Sequence, residues 1–307
     1  MAGWHCPMLR AALLGTLIAV SVQTAPVDER SVVADRVTRL TRDTAWTRVR
    51  SVPLGFQTFH PQGLVKIGET FFLSSVEVLD RDAGKGTGHL FKMDSAGRRL
   101  ADLKLGEGAI YHPGGLDYDG TNIWVAVAEY RPNSRSIVYR VDPNTMRAVL
   151  VLRFPTDHIG AIVHNTDDDT LHGVSWGSRR FYRWTLGRDG RVATPAAAVA
   201  AQRMLNPSHY VDYQDCKYAG SRRMLCTGVT EFRQSADAQP FRLGGIELVD
   251  LQDGRPLHQV PILLWTERGL DMTHNPAWIE STPTGLRAYF IPEDDNSTLY
   301  VFEAATP

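Results

Sequence analysis

The chain has 307 residues, 43% hydrophobic and 22% charged, enough to bury a sizeable core as one large domain or two ordinary ones. Thirty-three basic residues against thirty-four acidic ones leave a net charge of -1 and no concentrated positive field, so neither nucleic acid nor an anionic membrane surface is an expected partner. No phosphate-binding glycine loop or dinucleotide fingerprint is present.

At the N-terminus, Arg10 precedes an apolar run from Ala11 to Val20, and the small and polar residues Ser21 to Ala25 follow. That is the order of a secretory signal. Residues 1–25 are therefore expected to be removed, with cleavage after Ser21 or Ala25. The alternative is an N-terminal membrane anchor, but the run falls short of the roughly 20 apolar residues that span a bilayer. The mature protein is expected to be secreted or periplasmic and free of the membrane. Residues 26–43 read as a lead segment and 44–307 as a single domain.

That domain is a repeat. Stretches starting at His60, His112, His158, His209 and His274 each read as a strand, a tight turn and a second strand. His60-Pro-Gln-Gly-Leu64, His112-Pro-Gly-Gly-Leu116 and His158-Ile-Gly-Ala-Ile162 align without a gap, and seventeen residues after each histidine stand Glu77, Glu129 and Ser175. Short strands repeating with a period of about 45 to 65 residues are the signature of a propeller.

In the first unit, strands are predicted at Gly63 to Ile67, Thr70 to Val78, His89 to Asp94 and Arg99 to Leu105, and the second unit repeats them from Gly115 to Phe154. Asp119-Gly120, Asp142-Pro-Asn144, Asp189-Gly190 and Asp253-Gly254 supply the turns. The last unit yields only three strands, ending at Thr298 to Glu303, while Ala45 to Pro53 lacks a partner upstream. The fold expected is an all-β, five-bladed β-propeller with four antiparallel strands per blade, its last blade closed by the N-terminal strand. A merged or split unit would give four or six blades; five leaves no strand unassigned.

Two cysteines survive signal removal, Cys216 and Cys226, on either side of Ala219-Gly-Ser-Arg222. A hairpin there sets them opposite one another, within reach of a disulfide in an oxidising compartment; two buried thiols are the alternative. They do not supply the usual zinc ligand set.

Histidines that begin inner strands and acids that end second strands belong on one rim of the ring. His60, His112, His158, His209 and His274 are therefore candidate ligands for a divalent metal. Glu77, Glu129 and Asp212 are candidate acid/base groups, and Arg135 and Arg179 candidates for orienting an anionic substrate group. Three positions after each histidine stand Gly63, Gly115, Ala161, Asp212 and Ala277, so Asp212 alone would put a carboxylate into the channel. The plainer reading also stands: a histidine before proline can merely fix the start of a strand, and Glu77 and Glu129 can merely pair with nearby arginines. Asp167 to Asp169 reads as a solvated turn on the opposite face, and Trp176, Tyr182, Trp184 and Trp278 as blade core.

His112-Pro-Gly-Gly-Leu-Asp-Tyr-Asp-Gly120, Glu129-Tyr-Arg-Pro-Asn-Ser-Arg135, Gly173-Val-Ser-Trp-Gly-Ser-Arg-Arg-Phe-Tyr182 and Tyr213-Gln-Asp-Cys216 resemble the strings of a secreted β-propeller family known only as a domain of unknown function. The resemblance spans nearly everything after the signal and implies a fold without an activity. Pro61-Gln-Gly-Leu64 is similar to the Gln-Gly-Leu opening of plant-type glutaminyl cyclases, also five-bladed, whose glutamate motif this chain lacks. Two functions are expected from the rim. One is metal-assisted hydrolysis or elimination on a small polar substrate; the other is binding of a glycan or peptide without turnover. A monomer is expected.

Overall fold

The computed structural model describes residues 1–3, 28–192 and 196–306; the core of the expected signal peptide lies outside them. Alternating apolar residues punctuated by glycine and aspartate turns produce twenty β-strands among the described residues. A helix, α1 (Glu29–Val37), precedes β1 (Thr47–Pro53). Next come β2 (His60–Ile67), β3 (Thr70–Asp80), β4 (Lys85–Asp94) and β5 (Arg99–Leu105), an antiparallel sheet in sequence order. The second meander is β6 (Ile110–Tyr118), β7 (Ile123–Glu129), β8 (Ser136–Asp142) and β9 (Arg147–Phe154). The third is β10 (Ile159–Asn165), β11 (Thr170–Ser175), β12 (Arg180–Thr185) and β13 (Met204–Leu205), with the short helix α2 (Ala196–Ala201) before its last strand. A parallel pairing of Ala161 with Gly115 joins these two meanders into one eight-stranded sheet.

The fourth meander is β14 (Asp212–Tyr218), β15 (Arg223–Phe232), β16 (Phe241–Asp250) and β17 (Pro256–Ile262). Finally β18 (Ala277–Thr282), β19 (Gly285–Phe290) and β20 (Thr298–Ala305) take β1 as their fourth strand. The pairing runs antiparallel from Thr47 against Glu303 to Pro53 against Thr298, so the N-terminal strand does close the last sheet. The chain is all-β and propeller-like. Among the described residues no helix is long and apolar enough to cross a membrane.

Apolar faces of neighbouring sheets interleave, as where Val65, Phe72 and Leu90 pack with Leu116, Ile123 and Val125. Towards the axis the inner-strand glycines leave no room for a side chain of their own. A Cβ on Gly63 would stand 2.5 Å from the Leu116 nitrogen, and one on Gly114 would stand 1.9 Å from the Gly160 carbonyl oxygen. Cys216 pairs directly opposite Cys226 across β14 and β15, and the two form the expected disulfide.

The carboxylate in the channel is Asp215 rather than Asp212. Its two oxygens accept from the Leu64 and Leu116 amides at 2.9 and 3.0 Å, and Lys217 pairs with it. Burial pushes the Asp215 carboxyl up, to about 6, and the Lys217 ammonium down; their mutual attraction opposes both. Asp117 likewise accepts from the His164 and Tyr218 amides, at 2.8 and 3.1 Å. These groups add side-chain hydrogen bonds between inner strands to the parallel pairing of Ala161 with Gly115.

Helix α1, an element the sequence did not announce, lies across the opposite end of the channel from the histidines. Asp28 caps it, accepting from Arg30 N and Ser31 Oγ. It contacts the turns that follow inner strands: Arg30 donates to Thr166, Glu29 accepts from Ser281, and Arg36 donates to the carbonyls of Thr282 and Gly285. Val33, Ala34 and Val37 bury its inner face. Between helix and axis remains a cavity of about 80 Å³, lined in part by Lys217, Thr227 and Trp278.

Candidate functional site

At the histidine end the channel opens into a cavity of about 300 Å³. His60, His112, His158, His274 and Asp212 line it; His209 does not. Register explains the difference. Asp212 stands opposite Val229 as His60 stands opposite Val76 and His112 opposite Ala128, and each pair is followed by a bulge. Asp212 therefore holds the histidine position of the fourth unit, and the small-residue position falls to Asp215. The expected alignment of that unit was three residues out.

His209 lies beside this ring, where the Arg179 guanidinium bonds both its Nδ1 and the Asp212 carboxylate. Arg179 also donates to the carbonyl of Gly177. It thus organises the third and fourth units rather than standing free for a substrate anion.

The remaining predicted acids are placed elsewhere. Glu129 is buried, its carboxylate clamped by Arg131 and Arg135. Burial pushes Glu129 up, but Arg135 and Arg131 overcome this and hold it below the usual range. A carboxylate spent on two guanidiniums is a poor acid or base, and Arg135 is occupied in the same contact. What Glu129 offers the cavity is its backbone carbonyl, which accepts from His158 Nδ1 at 2.8 Å. Glu77 sits outside the cavity lining, 3.7 Å from the buried His89.

His60 is the most elaborated group. Its Nδ1 lies 2.8 Å from Asp294 Oδ1, and Gln62 Nε2 lies 2.8 Å from its Nε2. Asp294 also accepts from Asn275 Nδ2 at 3.0 Å. Burial raises the Asp294 carboxyl, but the His60 hydrogen bond and charge bring it below its usual range. An anionic Asp294 places the proton on Nδ1 and the lone pair on Nε2, the tautomer a general base requires.

Burial lowers the other three histidines that line the cavity. His158 is pushed down to about 4, and His112 falls well below the ordinary value, first through burial and then through His158 and His60. His274 is lowered by burial and by Arg242. His112 stacks on Tyr130 with ring centroids 4.1 Å apart, and the Arg81 guanidinium covers Tyr130 at 4.1 Å. Trp176 meets His158 edge-on at 4.8 Å and lines the cavity, whereas Tyr182 and Trp184 are core as expected.

Metal binding by five histidines does not fit this arrangement. Arg179 takes His209 and Asp212, and Asp294 and Gln62 take both nitrogens of His60. Among the described residues no group of three or more His, Cys, Asp or Glu is disposed to hold a metal. Sequence reading also missed Gln62, Tyr130, Asn275 and Asp294. Only Asp294 carried a signal, in the acidic run Glu293-Asp-Asp295, whose Glu293 accepts from Tyr300 at 2.7 Å.

Among solved structures the chain is similar to a hypothetical protein from Leishmania major, 12% identical over 84% of this chain and 90% of that one, with a TM-score of 0.53. It is also similar to MPT-4, a mannose phosphorylase from Leishmania mexicana: 13% identical, covering 83% of this chain and 88% of that one, TM-score 0.54. A more distant likeness is to the β-propeller domain of Cps50 (Swd1) from Myceliophteria thermophila: 10% identical, 56% and 51% covered, TM-score 0.35. At such low identity the two Leishmania likenesses bear on the fold alone. No curated protein matches. The motifs picked out along the sequence agree with the family whose model matches residues 18–306, and the chain belongs to it: DUF6454, a family of unknown function.

Proposed function

We propose that this is an exported, monomeric five-bladed propeller whose rim cavity binds a small polar molecule and transfers protons on it, in a hydrolysis or an elimination. The count of five comes from taking the eight-stranded sheet as two blades. The Cys216–Cys226 disulfide fits an oxidising compartment.

The observation that carries the reading is the Asp294–His60 pair at the cavity wall. Asp294 fixes the tautomer and favours the imidazolium that forms when Nε2 takes a proton; Gln62, which donates to that nitrogen, gives way to the substrate proton. Neutral His112 and His158 recognise hydroxyl or carbonyl groups, and the Asp212–Arg179 pair faces them from the fourth unit. No step is routed through a metal.

The test is a thermal-shift screen of small sugars, lactones and amides, followed by product detection by NMR on the hits. Turnover is expected to vanish in His60→Ala and to fall about 10² to 10⁴-fold in Asp294→Asn, with folding retained. Turnover untouched by either substitution would sink the assignment. A second reading, glycan binding without turnover, draws on the Arg81, Tyr130 and His112 stack beside Trp176. It predicts binding with no product, weakened by Tyr130→Ala or Trp176→Ala and indifferent to Asp294→Asn.

A further inference from the structure

On the face opposite the histidines a second cavity, of about 440 Å³, opens between the second and third units. Among its described lining residues only Trp124 and Leu186 carry apolar side chains. Walls so polar suit a hydroxyl-rich ligand better than an apolar one.

Two arginines reach this cavity from different units. Arg140, on β8, stands directly opposite Trp124 in the ladder with β7, and Arg188 sits in the turn after β12 that the Leu186–Val192 bridge closes. Arg140 is partly buried, and its guanidinium lies against Gly190 of that turn. A Cβ on Gly190 would stand 2.7 Å from Arg140 Nη1, so the glycine keeps the place of the guanidinium open. Neither Arg140 nor Arg188 makes an ion pair or a hydrogen bond among the described residues. The rim arginines differ: Arg131 and Arg135 are spent on Glu129, and Arg179 on Asp212. A guanidinium donates and never accepts, so a partly buried one without an acceptor is completed by an oxyanion, which its fork of N–H groups fits.

The nearby carboxylates are mostly committed. One oxygen of Asp119 accepts from the amides of Thr121 and Asn122 at 2.8 and 2.7 Å, the other from the Trp124 indole at 2.7 Å, with His164 Nδ1 at 2.9 Å. Asp189 accepts from the Arg191 amide at 3.1 Å, and its second oxygen stands 3.9 Å from Arg191 Nε. Asp169 alone keeps an exposed, uncommitted carboxylate. Two unpaired cations therefore face one unpaired anion, a balance that favours a negatively charged ligand. Asp169 repels a bare anion but accepts from hydroxyl groups, so it selects a ligand that carries hydroxyls beside its charge.

We propose that Arg140 and Arg188 hold the anionic group of an acidic saccharide, a sugar carboxylate or sugar phosphate, whose hydroxyls donate to Asp169. The site lies on the face away from the rim and does not rest on the function proposed there.

The test is isothermal titration calorimetry of the protein with glucuronate, glucose 6-phosphate, inorganic phosphate and glucose at low salt. Both acidic sugars are expected to bind, about tenfold or more tightly than glucose or inorganic phosphate. Arg140→Gln and Arg188→Gln, the latter at an exposed side chain, should each weaken them about tenfold or more. Arg140→Lys keeps the charge without the fork and should recover only part of that loss. Asp169→Ala should weaken glucose 6-phosphate while leaving inorganic phosphate no weaker, and His60→Ala, in the rim, should change neither. No binding of either acidic sugar at millimolar concentration, full affinity in both glutamine variants, or binding lost in His60→Ala would each overturn the site. Glucose or inorganic phosphate binding as tightly as glucose 6-phosphate would overturn the saccharide assignment.

Discussion

Acid should destabilise this protein through its buried histidines, and His172 gives the cleanest measure because it lies outside the rim cavity. It sits inside β11 with Thr170 Oγ1 at 3.0 Å from its Nε2, and burial pushes it from 6.5 to about 4. Between those values the unfolded chain binds a proton on this residue that the folded chain refuses. Its stability contribution is therefore intact above pH 6.5 and is lost progressively as pH falls towards 4. At pH 5 the loss from this one group is about 2 kcal/mol relative to pH 7. His158, with the same shift, loses a similar amount, whereas Asp215, pushed up to about 6, gains stability over the same interval. The wild-type sum thus mixes signs, and the informative quantity is a difference. Urea unfolding of wild type and His172→Asn at pH 7 and pH 5 should show the variant losing about 2 kcal/mol less on acidification. Equal losses in the two proteins would refute the argument that burial holds this imidazole neutral.

Reducing the disulfide, or replacing Cys216 and Cys226 by serine, removes a cross-link between residues ten apart and should cost about 3 kcal/mol, read as a shift of the urea midpoint. Asp215→Asn leaves Lys217 buried without its anion and turns an NH2 donor towards one of the two backbone amides; a loss of about 3 to 5 kcal/mol is expected, and one under about 1 kcal/mol would show that the pair contributes little. Gly114→Ala puts a methyl into the Gly160 carbonyl, so about 3 kcal/mol or outright failure to fold is expected by thermal melting.

The strands were legible because half-buried strands alternate and their turns use residues with a mechanism. Asp119, for example, accepts from the two amides that follow Gly120, as an aspartate opening a turn does. The rim was legible where units keep one length. His60 and His112 occupy equivalent register positions, but the fourth unit carries extra residues before its inner strand, which moved the alignment from Asp212 to His209. For Glu129 the sequence left two roles open, acid/base group or arginine partner, and the loop that brings Arg131 and Arg135 onto the carboxylate decides for the second. Asp294 and His60 are 234 residues apart, and only closure of the ring brings them together. Helix α1 gave no periodic signal because its stripe is only Val33, Ala34 and Val37, with polar residues around it.

The clasp formed by α1 and β1 has a consequence for assembly. Glu29 meets Ser281 across 252 residues, and β1 pairs with β20, so neither N-terminal element is fully seated until β18, β19 and β20 exist. Such non-local closure is slow, since the entropy of a very long loop is lost before the contacts that offset it form. The helix and strand that come first among these elements in the chain are therefore the ones seated last.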